Sequence, residues 1–215
     1  FIHSHVLEHL YSPMDVLEAI SQKQKDGDRS IFSIPDLYHY LDNNFVNTLN
    51  FEHTYFLTEE ISDYLIQLHG YSLIEKIKFR NHSIFYCIEK NSKISKPKLS
   101  SNLYHQYKKM YLNMVDFYNK DLANIQNEIK KHEGEVFLFG AHVFSQYLLN
   151  IGLDESLISG ILDNSKEKEG KRLYGSNLNV LNPSIIKGNK NYLIIVKAGA
   201  YQEEVELQLK SLNLY

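Results

Sequence analysis

From residue 134 onward the chain alternates short apolar runs with stretches of helical spacing, and few folds accept that order. Glu135-Val136-Phe137-Leu138-Phe139 reads as a strand that stops at the turn Gly140-Ala141, and Val143 to Asn150 reads as a helix. Ser159 to Leu162 is a second strand, ending in Asp163, and Leu178 to Val180 a further short one. Tyr192 to Val196 is a buried strand, followed by Ala198-Gly199-Ala200 and a helix from about Gln202 to Leu212. These strands lack the in–out alternation of a half-exposed sheet. Uniformly apolar strands separated by helices predict a small parallel sheet with helices on both faces.

Upstream, Leu103, Tyr107, Met110, Met114, Phe117, Leu122, Ile125 and Ile129 recur at helical spacing and predict one long helix from about Ser101 to His132. Ahead of it, residues 91–100 hold Lys, Ser and Pro with few apolar side chains, as a linker would. The first ninety residues read as the end of a strand, a helix opened by Ser12-Pro13, a strand over 29–34 stopped by Pro35, and a Tyr-, Asp- and Asn-rich loop. A helix capped by Thr58 and ended by Gly70 follows, then two strands near 71–79 and 82–90 with Asn81 in the turn between them. The expected division is therefore a first domain over 1–90, a linker over 91–100 and a second domain over 101–215.

The formal net charge of −3 does not favour nucleic acid or anionic lipid as a partner. No apolar run approaches the roughly 18 residues a membrane helix needs. The single Cys87 lies in the apolar run Ile84-Phe85-Tyr86-Cys87-Ile88, cannot form an internal disulfide, and is expected to be a small buried hydrophobe. A reducing cytoplasm suits that usage. No His or Cys spacing predicts a metal site.

Two acid–imidazole pairs stand out. Glu8-His9 follows the strand that opens the chain, and Glu52-His53 precedes the Thr58 helix. Pairs at the ends of neighbouring strands form a plausible general-base site, because an imidazole titrates in the useful range. The bland alternative is that Glu52-His53 only anchors its loop.

The run His5-Val6-Leu7-Glu8-His9-Leu10, followed by Pro13, a helix, Gly27, a strand and Pro35, resembles the second half of a class I S-adenosylmethionine-dependent methyltransferase, with 71–90 as its closing hairpin. Phe139-Gly140-Ala141-His142, then Asp163-Asn164 with Lys168 and Gly170, then Gly175-Ser176, resemble the C-terminal domain of deoxysugar C-methyltransferases. The implied fold is α/β: the C-terminal half of a Rossmann-like methyltransferase sheet, then a second small Rossmann-like domain. In that family a first strand, a glycine-rich loop and a cofactor-holding acid precede the matched strand. None lies in residues 1–215, so the expectation is a piece of a larger enzyme whose first strand exposes a sheet edge.

The resemblance implies S-adenosylmethionine as cofactor, with Ser4 and His5 beside it, and C-methylation of a nucleotide-linked keto-deoxysugar. Such enzymes remove the proton next to a ketone, stabilise the enolate, and methylate the carbon. Carried over, the base is His53, with Glu52 orienting it or binding sugar hydroxyls, and His9 at the ketone oxygen. The family's Tyr-x-Glu-His motif has Asn50 in place of its Tyr, and Tyr55 is a further phenol nearby. Gly140, Ala141, His142, Asp163 and Lys168 are the expected contacts to the nucleotide sugar, since a strand–Gly–helix turn offers backbone N–H groups to phosphate. The equal alternative is a strand-end turn capped by Asp163-Asn164. Oxygen or nitrogen methylation of a small molecule, and a non-catalytic binding module, are the competing readings. A homodimer is compatible with this reading, and the sequence leaves the oligomeric state open.

Overall fold

The computed structural model describes residues 1–95, 97–188 and 191–212. Lys96, inside the expected linker, and residues 213–215 lie outside the described residues. The chain divides into two compact units, Phe1–Leu112 and Asn113–Tyr215.

The first unit opens with strand β1 (Ile2–Ser4) and a single 3₁₀ turn over Leu7–His9, then helix α1 (Pro13–Lys23), strand β2 (Arg29–Pro35) and helix α2 (Leu37–Asp42). A 3₁₀ turn over Val46–Leu49, helix α3 (Glu59–Leu68) and the hairpin β3 (Tyr71–Phe79) and β4 (Ser83–Lys90) complete it, with the start of helix α4 (Leu103–Lys131). The strand order is β1-β2-β4-β3, with β1 parallel to β2 and the other pairs antiparallel. Asp36 explains why an expected loop is helical. Its carboxylate accepts the His39 N–H at 3.1 Å and caps α2, which composition alone concealed. Thr58 caps α3 as expected, accepting the Ile61 N–H at 3.2 Å.

Alternation along β2 and β4 splits the sheet into two faces. Phe32, Ile34, Ile84, Tyr86 and Ile88 point into a core shared with Leu17 of α1 and Leu65 and Ile66 of α3. Phe32 and Tyr86 are register partners, and their rings stack at 4.9 Å. The opposite face carries Ile31, Ile77, Phe79 and Phe85, each 37–52% exposed. Cys87 lies on this open face and is half-buried, not the buried hydrophobe its apolar run suggested. Strand β1 is an edge, and its Ile2 is 79% exposed.

Helix α4 runs across the division between the units. The second unit continues with strand β5 (Glu135–Phe139), helix α5 (Val143–Asn150), strands β6 (Gly160–Leu162), β7 (Val180–Leu181) and β8 (Tyr192–Val196), and helix α6 (Gln202–Leu212). All pairs are parallel, in the order β7-β6-β5-β8. From Val136 to Phe139, β5 is wholly buried, with Phe137 and Phe139 packed against Val205 of α6. Met114, Tyr118, Phe144 and Leu148 are buried too, and Tyr118 meets Tyr147 edge-on at 5.2 Å. This is the α/β, Rossmann-like arrangement that the strand–helix alternation predicts. Gly134 opens β5 where a Cβ would overlap the Asn191 backbone, so the β8 entry can approach only a glycine. No described helix is long and apolar enough to cross a membrane.

Candidate active site

The carboxyl ends of β1 and β2 open onto the residues that carry acid–base chemistry. His5 leaves β1 in the left-handed region (φ 50°), and the chain turns at once into the 3₁₀ turn that carries Glu8 and His9. A strap then holds the 50–55 loop against this turn. The Glu8 carbonyl accepts the N–H groups of Thr54 (2.8 Å) and Tyr55 (3.2 Å), and the Thr54 hydroxyl donates to the Leu10 carbonyl at 2.6 Å. These bonds bring His9 and His53 together with ring centroids 5.0 Å apart, edge to face.

Each imidazole is oriented by the loop. His9 Nδ1 lies 2.9 Å from the Glu52 carbonyl. A carbonyl only accepts, so this nitrogen carries the hydrogen. The sequence reading has Glu52 orient His53; the contact found is instead from the Glu52 backbone carbonyl, and it is to His9. Its carboxylate is on an exposed loop. The Asn50 side-chain nitrogen faces His53 Nε2 across 3.4 Å, while its Oδ1 accepts the Glu52 N–H at 3.2 Å. Asn50 therefore shapes the loop from the position where the resembling enzymes carry Tyr. The Tyr55 hydroxyl is committed to the Tyr11 carbonyl at 3.2 Å.

Glu8 stood out in the sequence only as the acid of the Glu8-His9 pair, with no role of its own, yet its carboxylate lies close to both imidazoles. It is 1% exposed, and one carboxylate oxygen pairs with His5 Nδ1 at 3.0 Å. The other is buried without a hydrogen-bond partner among the described residues. Donor atoms of Glu8, His9 and His53 all lie within 4.8 Å of one another, a spacing that would admit a cation. No ligand spacing in the sequence pointed to this group, because the three meet only through the strap. The 50–55 loop already engages both imidazoles. Burial holds the His53 pKa below the ordinary imidazole value, opposed by the Glu8 carboxylate and reinforced by His9 and His5, with Glu52 adding to the upward pull. His53 is therefore neutral at pH 7 and can accept a proton.

Ser4 and His5, expected beside the cofactor, are held from within. Ser4 Oγ meets Ser33 Oγ at 2.7 Å, and His5 spans Glu8 and, through Nε2, Ser83 Oγ at 2.8 Å.

In the second unit the five expected substrate contacts do gather. Gly140 has φ 100°, and the His142 ring folds over it where a Cβ would stand. The Asp163 carboxylate accepts the N–H groups of Ala141 (2.7 Å) and Ser165 (2.8 Å) and pairs with Lys168 Nζ at 3.2 Å. Lys168 also donates to the Ala141 carbonyl, and His142 caps α5 by accepting the Phe144 N–H. Burial would raise the Asp163 pKa, but the two amides and Lys168 together hold it below the usual carboxylate value. Burial, followed by Lys168, lowers that of His142, against the pull of Asp163. The anion at this turn is thus the protein's own, and a phosphate would have to displace it.

A family model, the C-methyltransferase C-terminal domain, matches residues 69–213. That is more than half of the chain, and the chain belongs to this family. The match takes in the β3–β4 hairpin, α4 and the second unit. His5, Glu8, His9, Glu52 and His53 precede it, so their roles rest on the geometry above. No curated protein matches the chain.

Proposed function

We propose that this chain belongs to an S-adenosylmethionine-dependent C-methyltransferase acting on a nucleotide-linked keto sugar, with His53 as the general base. The observation that carries the reading is the His53 imidazole edge-on to His9 beside a buried carboxylate, in a chain of the C-methyltransferase C-terminal family. Carbon methylation needs a group that removes a weakly acidic proton beside a carbonyl, and a second group for the oxygen that becomes negative.

His53 accepts the carbon-bound proton on a ring nitrogen and becomes imidazolium beside Glu8. His9 donates Nδ1–H to the Glu52 carbonyl, and this bond holds its ring edge-on to His53, beside the base. Asn50 keeps the loop, and with it His53, in place. Bound S-adenosylmethionine supplies an electrophilic methyl group. Open α/β sheets bind ligands at the carboxyl ends of their strands, and the end of β1 is where the resemblance puts the cofactor. Ser4 and His5 would hold the cofactor through the strand-end geometry they fix.

Asn50 in place of the family's Tyr favours one competing reading, methylation of oxygen or nitrogen, which needs no carbanion. Hydrogen exchange separates the two. The full-length protein is incubated in D₂O with a nucleotide-linked keto sugar, and deuterium uptake beside the ketone is followed by proton NMR. Uptake that His53→Ala abolishes is expected. Wild-type protein that methylates its acceptor without exchanging that proton would refute the C-methylation reading.

A further inference from the structure

Glu8, His5, Ser83 and His82 form a continuous hydrogen-bonded series that ends beneath the candidate base. Glu8 pairs with His5 Nδ1 at 3.0 Å, His5 Nε2 meets Ser83 Oγ at 2.8 Å, and Ser83 Oγ meets His82 Nδ1 at 2.5 Å. Glu8 and Ser83 are each 1% exposed. An acid, an imidazole and a hydroxyl in this order often signal a nucleophile. Here the hydroxyl is buried in the first residue of β4, where no acceptor can reach it. The order is better read from the other end, as a brace for the carboxylate.

Resting on the reading of His53 as the base, we propose that Glu8 is a positioning residue for the reaction: its carboxylate, locked by His5 and Ser83, stabilises the imidazolium that His53 becomes. The balance is simple. His53 gains one proton and one positive charge, and Glu8 keeps its negative charge throughout. A carboxylate buried this deeply is costly unless it is paired. His5 satisfies one oxygen, the other has no hydrogen-bond partner among the described residues, and a carboxylate oxygen lies within 4.8 Å of ring nitrogens of His9 and His53. The remaining charge is thus unmatched at rest and matched when the base is protonated, which is the sense that lowers a barrier rather than only tightening binding. His5 fits the bracing role because its left-handed backbone aims the ring back across β2 toward β4. The ionisable groups facing His53 are Glu8 and His9 from the turn after β1, His5 from the end of that strand, and Glu52 from its own loop. Glu8 is the buried anion among them.

The test is a histidine NMR titration of the full-length protein, with pH profiles of kcat and KM. Glu8→Gln is expected to lower the His53 midpoint by about one pH unit, the effect of removing an opposite charge at this range. It should reduce kcat about tenfold or more with little change in KM. Glu8→Asp, which retains the charge but withdraws it, should leave the midpoint nearer wild type and restore part of kcat. In wild type, the carboxyl carbon resonance of Glu8 should show an inflection at the His53 midpoint, a readout that needs no variant. An unmoved His53 midpoint in a folded Glu8→Gln protein, or no such inflection in wild type, overturns the inference even if His53 proves to be the base. Absence of carbon-bound proton exchange in wild type overturns the base assignment as well.

Discussion

Asp163→Asn tests what the cluster after β6 is for. The carboxylate accepts two backbone amides at 2.7 and 2.8 Å and is 8% exposed. Asparagine keeps its shape but offers one acceptor oxygen and one NH₂, so an amide of Ala141 or Ser165 faces a donor. A hydrogen bond to a charged group contributes about 1.5–3 kcal/mol, and a buried donor left unmet costs about 1–3 kcal/mol. The Lys168 side chain is 44% exposed, so its pairing adds less than about 1 kcal/mol. The expected loss at pH 7 is about 2–4 kcal/mol. The pH dependence has a definite sign. The folded pKa lies below its ordinary 3.8, so this contribution is present above that value and lost as pH falls through the lowered one. Urea unfolding followed by circular dichroism, for both proteins at pH 7 and near pH 3, should show a gap in midpoint that narrows in acid. Equal midpoints at pH 7, or a gap indifferent to acid, would refute the bracing argument. Unchanged stability with weakened nucleotide-sugar binding would instead return Asp163 to the substrate.

Thr58→Ala removes the cap of α3 and should cost about 1 kcal/mol in a urea melt, with Thr58→Ser restoring it. Gly134→Ala drives a methyl into the Asn191 backbone and should either lower the melting temperature by several degrees or leave no soluble protein. The rate of carbon-bound proton exchange should rise with pH and level off at a midpoint below the ordinary imidazole value of 6.5, because burial holds His53 there; a midpoint above 6.5 would contradict that balance.

Much of this architecture is legible from local chemistry. The run 135–139 admits little but a buried strand, Thr58 marks a helix start, and Gly70 and Asn81 bracket β3, all without knowledge of the fold. Where reading failed, a side chain was acting on its neighbours. Asp36 looked like loop composition and is a cap. Cys87 looked buried because its neighbours are apolar, yet it falls on the face of β4 opposite the core. The candidate site shows the same limit over a longer range. Glu52 and His53 were visible as a pair, and Glu8 and His9 as another. That Glu8 rather than Glu52 places its carboxylate by the imidazoles follows from the Thr54 strap, which links residues 46 apart in sequence. At 140–168 the residues singled out do lie together, but whether their donors are free or spent depends on a carboxylate's position that spacing does not encode.

The half-buried thiol on the open side of the first sheet has a practical use. Cys87 is the chain's sole cysteine and stands among Ile31, Ile77 and Phe85. A thiol-reactive dye would therefore label a single site, in the middle of an oily surface, with no engineering. Its labelling rate works as a meter of how much of that surface water can reach. Fast labelling means that the sheet is bare, and slow labelling means that something lies against it, whether another part of a longer polypeptide, a second copy or an aggregate. One stopwatch measurement on any preparation thus reports the condition of the sheet that holds the candidate base, before any substrate has been synthesised.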